Sequence, residues 1–345
     1  MHNLTLDHTT FGPLGFGGSA LGNLYSPVSE EAAYAAVRTA IQLGIRYFDT
    51  APHYGFGLSE KRLGEILAVL DPRQELILST KIGRKLVRVS PADLDISLPR
   101  QGFVTPEPYQ SEFDYGYDCA LRTYESSLRR LRRERIDLLL VHDLGRLTHG
   151  ENHPRLLAEF LDGGYRAMRE LRDCGAVGAI GLGVNETEVV EEALEHADFD
   201  VVLLAGRYTL LEQEALETFL PNCARRGVEV IVGGPYNSGI LATGVRGGGP
   251  IRYNYADAPE RIVTHVARIE SICEAHGVSL RAAAMQFPLG HPQVLTVVAG
   301  MASPEQVAQA VEDVRQPLPA ALWRDLRGAG LIAPEAPLPK KPCSD

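Results

Sequence analysis

Four side chains able to hold or move a proton stand where apolar segments stop. Asp49, Lys81 and His142 close three such segments, and Tyr54 follows shortly after Asp49. The run Ile45-Arg46-Tyr47-Phe48-Asp49 reads as a short buried strand, and it passes directly into Thr50-Ala51-Pro52-His53-Tyr54-Gly55. A strand that ends in titratable groups is a common way to set a site on a rigid edge. A buried ammonium beside a phenol favours the phenolate. A carboxylate such as Asp49 would pair with Lys81 and keep it charged, while His142 could donate to a substrate oxygen from the other side. That set suits proton transfer at a hydroxyl or carbonyl oxygen, with Tyr54 as acid or base. A hydride partner would complete an oxidoreduction. Taken singly, each residue has a plainer reading: Asp49 as a cap, Tyr54 as a loop aromatic, His142 as a satisfied core histidine. Lys81 is harder to dismiss, because lysine is rarely buried without a partner. The case rests on all four meeting at one rim.

The order of elements supplies such a rim. Apolar strands are expected at 14–18, 45–49, 76–81, 136–142, 177–183, 200–204, 228–233 and 294–299. Helices are expected at 29–43, 58–70, 116–133, 160–173, 186–196, 211–226, 260–276 and 304–313, with a short one at 319–328. Ser29 suits an N-cap, Glu30 and Glu31 suit a first turn, and Gly44 closes that helix. Residues 1–12 read as a polar or hairpin-like lead-in, and the proline-rich end is expected to fray. Continuous apolar runs such as 137–141 suit strands buried on both faces. Eight strands alternating with helices favour a single (β/α)8 TIM barrel, with a core at about 12–315 and a C-terminal extension at 316–345. The competing open doubly wound sheet wants a G-x-G-x-x-G turn after its first strand. Gly15-Phe16-Gly17-Gly18-Ser19-Ala20 does not supply it.

Three stretches break the rhythm. Residues 83–115 carry Pro91, Pro99, Pro106 and Pro108 among Phe103, Tyr109, Phe113 and Tyr115. They read as a long structureless insert, a type that is usually functional or mobile. A second irregular insert is expected at 143–157, and a Gly/Pro-rich loop at 234–259. The inserts bring aromatic groups and Asp143, His149, Glu151, Asn152 and His153 to the same rim, with no substrate role assigned to any of them.

Bulk properties narrow the partners. A formal charge of -10 argues against nucleic acid or an anionic membrane. The five cysteines, Cys119, Cys174, Cys223, Cys273 and Cys343, are odd in number and form no C-x-x-C pair. That points away from zinc or any metal and from a disulfide frame, and toward a reducing compartment, read as the cytoplasm. No apolar run reaches transmembrane length. The expected partner is a small molecule; no feature fixes an oligomeric state.

The motifs together resemble one family. Phe48-Asp49-Thr50-Ala51-Pro52-His53-Tyr54-Gly55 followed by Ser59-Glu60 is similar to the Asp-Thr-Ala-x-x-Tyr-Gly-x-Ser-Glu signature of the aldo-keto reductase superfamily. Ser79-Thr80-Lys81 resembles its lysine strand, and the run from Asp137 to Asp143 its histidine strand. The resemblance implies a barrel that uses a nicotinamide cofactor without a Rossmann domain. It gives Tyr54 the proton relay, Lys81 and Asp49 the tuning of it, and His142 the positioning of the substrate oxygen.

Cofactor contacts follow by the same resemblance. Tyr208 matches the aromatic on which the nicotinamide stacks, although the usual glutamine before it is Ala205. Asn185 stands near the carboxamide-holding pair. Gly234, Pro235, Asn237, Ser238 and Gly239 match the loop that wraps the pyrophosphate. Gly300, Ala302, Ser303 and Gln306 match the segment at the adenosine ribose, at a helix start suited to anions. Relatives that prefer NADP place lysine or arginine there, because a 2′-phosphate needs a cation. Here the nearest charge is Glu305, so NAD is expected over NADP. Within the superfamily, the run from Ala51 to Glu60 and that from Leu203 to Leu211 resemble dehydrogenases of L-fucose (D-threo-aldose), pyridoxal and L-galactose. Those enzymes oxidise a cyclic hemiacetal carbon to a lactone. The implied activity is NAD(P)-dependent oxidation of an aldose such as L-fucose, L-galactose or D-arabinose. Pyridoxal 4-dehydrogenation, a general aldehyde or ketone reductase and a non-catalytic nucleotide-binding subunit are the alternatives.

Overall fold

A computed structural model describes residues 4–90, 94, 99–247, 251–254 and 256–339. Pro91, Cys343 and the last residues, 340–345, lie outside the described residues. The proline-rich end expected to fray is instead packed as far as 339: Leu331, Ile332 and Ala336 are buried, and Gln213 holds the Leu331 carbonyl and the Ala333 N–H. The barrel strands are β1 (Leu14–Gly17), β2 (Tyr47–Asp49), β3 (Ile77–Ile82), β4 (Ile136–His142), β5 (Val177–Val184), β6 (Val201–Ala205), β7 (Glu229–Gly233) and β8 (Val294–Gly300). All pair in parallel, each with its sequence neighbours, and β1 closes the ring by pairing with β8 as well as β2. The expected eight-stranded barrel is therefore the observed fold.

Two apolar sets hold it together. Outward-facing strand residues such as Phe48, Leu139, Ile180 and Val230 pack under the helices in one large core. Inward-facing residues fill the barrel: Tyr47, Ile77, Leu138, Leu140, Val201, Leu203, Ile231 and Leu295. Alternation along each strand separates the two sets, since successive strand side chains point to opposite faces. The N-terminal lead-in is a short helix, His8–Phe11, rather than a hairpin. Asp7 caps it, and Phe11 packs at a tilt against Tyr47 at the start of β2. This plug closes the N-terminal end of the barrel and leaves the C-terminal end as the open mouth.

Several expectations change in detail. The 83–115 insert is not structureless: Arg84–Arg88 and Tyr109–Phe113 form an antiparallel hairpin. Its strands are half-exposed and far apart in sequence, so neither apolar alternation nor a short turn announces it. The helix expected at 211–226 starts only at Phe219. Pro221 belongs in a first helical turn, where its missing N–H costs nothing. The second insert holds helices at Arg146–His149 and His153–Glu159, then a π-turn at Phe160–Gly164. Gly163 and Gly164 press on the backbone of Tyr115–Tyr117, where any Cβ would collide. A helix at Leu280–Gln286, capped by Ser279, was absent from the expected order. Its alanine-rich sequence offers no 3.6-residue contrast between apolar and polar positions.

Candidate active site

Register brings the strand ends together. β2 ends at Asp49, which pairs across to Ser79 on β3, and Lys81 of β3 pairs with Leu140 of β4. The Lys81 ammonium is 2% exposed, so its charge must be met inside the protein. It lies 2.8 and 2.9 Å from the two Asp49 carboxylate oxygens and 2.9 Å from the Thr50 carbonyl. Ser79 donates to the same carboxylate at 2.7 Å, and the Tyr47 hydroxyl meets Ser79 at 2.8 Å. Asp49 is thus fixed by two strands. The ammonium sits 4.9 Å from the centre of the Tyr54 ring.

The turn that carries Tyr54 is held by contacts that the signature encodes. Ser59 donates to the Gly18 carbonyl at 2.7 Å and lies 2.8 Å from the Thr50 hydroxyl, tying the ends of β1 and β2 together. Glu60 is fully buried, accepting from Thr80 and Arg130 at 2.6 Å each. Gly22 lies against the turn so closely that a Cβ there would stand 2.5 Å from the Tyr54 carbonyl carbon. Gly55 takes a φ of +64 against Gly22, a conformation that costs glycine little.

Three rings face one another at the mouth. The Tyr54 and His142 centroids are 5.8 Å apart, those of His53 and His142 5.9 Å, and those of His53 and Tyr54 6.5 Å. Phe103, from the insert, meets His53 edge-on and lies tilted beside Tyr54. Burial, with Arg84 and Lys81 nearby, pushes His53 down to about 3. The same causes hold His142 well below its ordinary value. Both imidazoles are therefore neutral at pH 7. Arg84 donates to His53 Nε2 at 2.9 Å and pairs with Asp143 at 2.6 Å. His53 Nδ1 and His142 Nδ1 are buried without a partner among the described residues, at a cost of about 1–3 kcal/mol for each unsatisfied polar atom.

The structure brings Asp49, Tyr54, Lys81 and His142 into one mouth. It adds His53, Arg84 and Asp143, which the sequence reading left without a role. The hairpin that delivers Arg84 was the missing signal.

On the cofactor side the placements are uneven. Tyr208 is fully buried, packed against Phe287 and His291. That corrects the stacking role: a buried ring offers no face to a planar ligand. Asn185 is half-buried, with its amide donating to Asp143 at 3.0 Å. Gly234 is exposed at the end of β7, while Pro235 is buried. Asn237, Ser238 and Gly239 all take positive φ, so this loop turns its backbone sharply. Asn237 is anchored by Thr209 at 2.6 Å and by the Gly206 carbonyl at 3.1 Å. Gly300 ends β8 exposed, and Ser303 caps the helix Pro304–Arg315. Gln306 accepts from the Ala302 N–H at 2.7 Å. An exposed glycine at two strand ends, a sharply turned loop and a helix start suit a dinucleotide lying along this side. Among the described residues, no three His, Cys, Asp or Glu side chains converge as a metal site, and no helix is long and apolar enough to cross a membrane.

Known proteins resemble this chain over most of its length. The aldo/keto reductase family model matches residues 13–330. Pyridoxal 4-dehydrogenase of Microbacterium luteolum is 42% identical over 93% of this chain and 94% of its own. D-threo-aldose 1-dehydrogenase of a Pseudomonas species is 40% identical over 92% and 94%. L-galactose dehydrogenase of Arabidopsis thaliana is 30% identical over 88% and 84%. The solved holo form of an aldo-keto reductase from Bacillus halodurans superposes with a TM-score of 0.66 at 26% identity, covering 93% of this chain and 92% of that one. The chain belongs to the aldo/keto reductase family and is an NAD(P)-dependent oxidoreductase.

Proposed function

We propose that the chain oxidises the anomeric carbon of a free aldose to the lactone, with Tyr54 as the base and NAD as the favoured cofactor. The observation that carries the acid/base reading is the buried Lys81–Asp49 pair with its ammonium beside the Tyr54 ring. A bound nicotinamide supplies the hydride acceptor. The chain's own residues handle the proton and the oxygen. Tyr54 takes the proton of the anomeric hydroxyl, and the neighbouring ammonium favours the phenolate needed for that. His142, being neutral, holds one ring N–H with which to donate to the same oxygen. Asp49 is held by Lys81 and Ser79 and is support, not a second acid. The relatives named for D-threo-aldose and L-galactose favour an aldose, with L-fucose, L-galactose and D-arabinose as the first substrates to try.

Pyridoxal is the second reading, favoured by the 42% identical relative and by the ring wall of Phe103 and His53. Asn185, Gly234 to Gly239 and Gly300 to Gln306 are assigned to the cofactor, Tyr208 only as a buried support behind it. For NAD over NADP the support is local. Glu305 sits exposed in the first turn of the helix after Ser303, where a 2′-phosphate would need a cation. One panel tests the reading: initial rates with L-fucose, L-galactose, D-arabinose, pyridoxal and benzaldehyde, with each cofactor and in both directions. The aldose reading expects the highest kcat/KM from one of the sugars with NAD. A tenfold advantage for pyridoxal over every sugar would replace it, and a tenfold advantage for NADP would overturn the cofactor choice.

A further inference from the structure

His53 is not needed for the proton relay, yet its surroundings are specified on every side. The imidazole is 9% exposed and walled by Phe103, Phe56, Tyr54 and His142. Its Nε2 lies 2.9 Å from Arg84 Nη1. A guanidinium can only donate, so Nε2 must accept, and the single proton of the neutral ring sits on Nδ1. Arg84 cannot turn away easily. Its other nitrogen is held by Asp143 at 2.6 Å, Asp143 is held by Asn185 at 3.0 Å, and the guanidinium lies 4.4 Å from the centre of the Phe113 ring. The hairpin thus fixes the tautomer of a ring it never replaces. What remains is an N–H donor with no acceptor among the described residues. Buried donors are nearly always satisfied, and an exception calls for a ligand or a water to complete it.

We propose that His53, through its Nδ1–H, is a specificity-determining residue that donates to an oxygen on the carbon next to the reacting one, so that the site selects 2-hydroxy aldoses over 2-deoxy ones. This deepens the aldose reading and rests on it. A substrate whose reacting oxygen lies between Tyr54 and His142 presents its neighbouring carbon to the third ring of the triangle. An oxygen there completes the orphan donor, whereas a methylene leaves it buried and unmet. Sites built to bond a substrate hydroxyl reject the analogue lacking it far more strongly than apolar pockets reject an added group. Arg84 acts through His53 and is a positioning residue.

The experiment compares kcat/KM for L-fucose and 2-deoxy-L-fucose in the native protein, His53→Phe and His53→Asn, with NAD binding titrated in each. The native protein is expected to prefer the 2-hydroxy sugar by roughly 10- to 100-fold, the worth of one buried hydrogen bond. His53→Phe is expected to bring that ratio to within about threefold of unity, and His53→Asn, which keeps an N–H donor, to retain most of it. His53→Leu carries the same comparison if His53→Phe does not bind NAD. An unchanged ratio in the apolar variants overturns the inference while leaving the aldose reading standing. Where another aldose of the panel gives the higher rate, that sugar and its 2-deoxy analogue take the place of the L-fucose pair; no turnover of any aldose of the panel by native protein that binds NAD overturns the aldose reading, and the inference with it.

Discussion

The two sides of the barrel mouth are built by different means. On the acid/base side, Asp49, Ser79 and Lys81 belong to strands and satisfy one another through side chains within 2.9 Å. On the opposite side, the loop after β7 and the segment after β8 are shaped by backbone: positive φ at Asn237, Ser238 and Gly239, and a helix start at Pro304. A site made of side chains on strands is rigid and fails when one atom is changed. A site made of turned backbone tolerates side-chain change and shifts its preference gradually.

The largest break in that comparison comes from Tyr54→Phe. Losing a positioned proton-transfer group should cut kcat by about 10²–10⁴-fold. NAD binding, measured by fluorescence titration, should stay as it is. Turnover equal to native would remove Tyr54 from the chemistry. Next in size is Asp49→Asn, which leaves the Lys81 ammonium buried without its counter-charge. Breaking a buried pair on one side costs about 3–5 kcal/mol, readable as a lower urea midpoint. Adding Lys81→Met to Asp49→Asn should recover part of that stability without recovering turnover, because the unmet charge is gone while the ammonium beside Tyr54 is gone too. A double variant less stable than either single one would mean that the pair itself, not the orphaned charge, carries the energy.

How far the sequence announces each side follows from the same contrast. Asp49, Lys81 and His142 are legible because strand ends are marked by the switch from apolar to polar residues, and eight such switches specify a barrel. Ser59 and Glu60 are legible as a motif, and the structure supplies their physical work of tying β1, β2 and β3. Arg84 is not legible. It begins a half-exposed hairpin whose partner strand, Tyr109–Phe113, lies beyond a proline-rich crossing. Tyr208 misleads for the opposite reason. An aromatic just past a strand end satisfies the sequence pattern whether its ring turns outward or, as here, into the core against Phe287. The glycine pair Gly22 and Gly55 shows a third case. Their close approach is a property of two turns meeting, and neither sequence alone contains it.

A pH dependence of similar size belongs to the acid/base side. His53 and His142 are both held neutral in the fold, whereas in the unfolded chain each takes up a proton below its ordinary value of 6.5. The unfolded state then binds more protons than the folded one. Stability is fully present above pH 6.5 and falls as the pH drops from there toward about 3, the folded value of His53. The slope should be about 1.4 kcal/mol per pH unit for each imidazole well inside that window. Urea unfolding between pH 7 and 4.5 reads it, and His53→Asn should remove one of the two contributions. A slope unaffected by that change would mean that His53 is charged in the fold, which its acceptor role toward Arg84 forbids.

The smallest effect is expected on the backbone-built side, and it is a change of preference rather than a loss. Gln306→Arg puts a cation in the first turn of the helix Pro304–Arg315, beside the exposed Glu305. The helix dipole opposes a positive charge there by about 0.3–1 kcal/mol. A charge-assisted bond to a 2′-phosphate returns about 1.5–3 kcal/mol. The difference corresponds to about a tenfold rise in the ratio of kcat/KM for NADP to that for NAD. The fold should barely change, because the bond lost is the exposed one from the Ala302 N–H to Gln306. An unaltered ratio would move the adenosine end of the cofactor away from this helix. It would also leave the sharply turned loop at Asn237–Gly239 as the place to look for it.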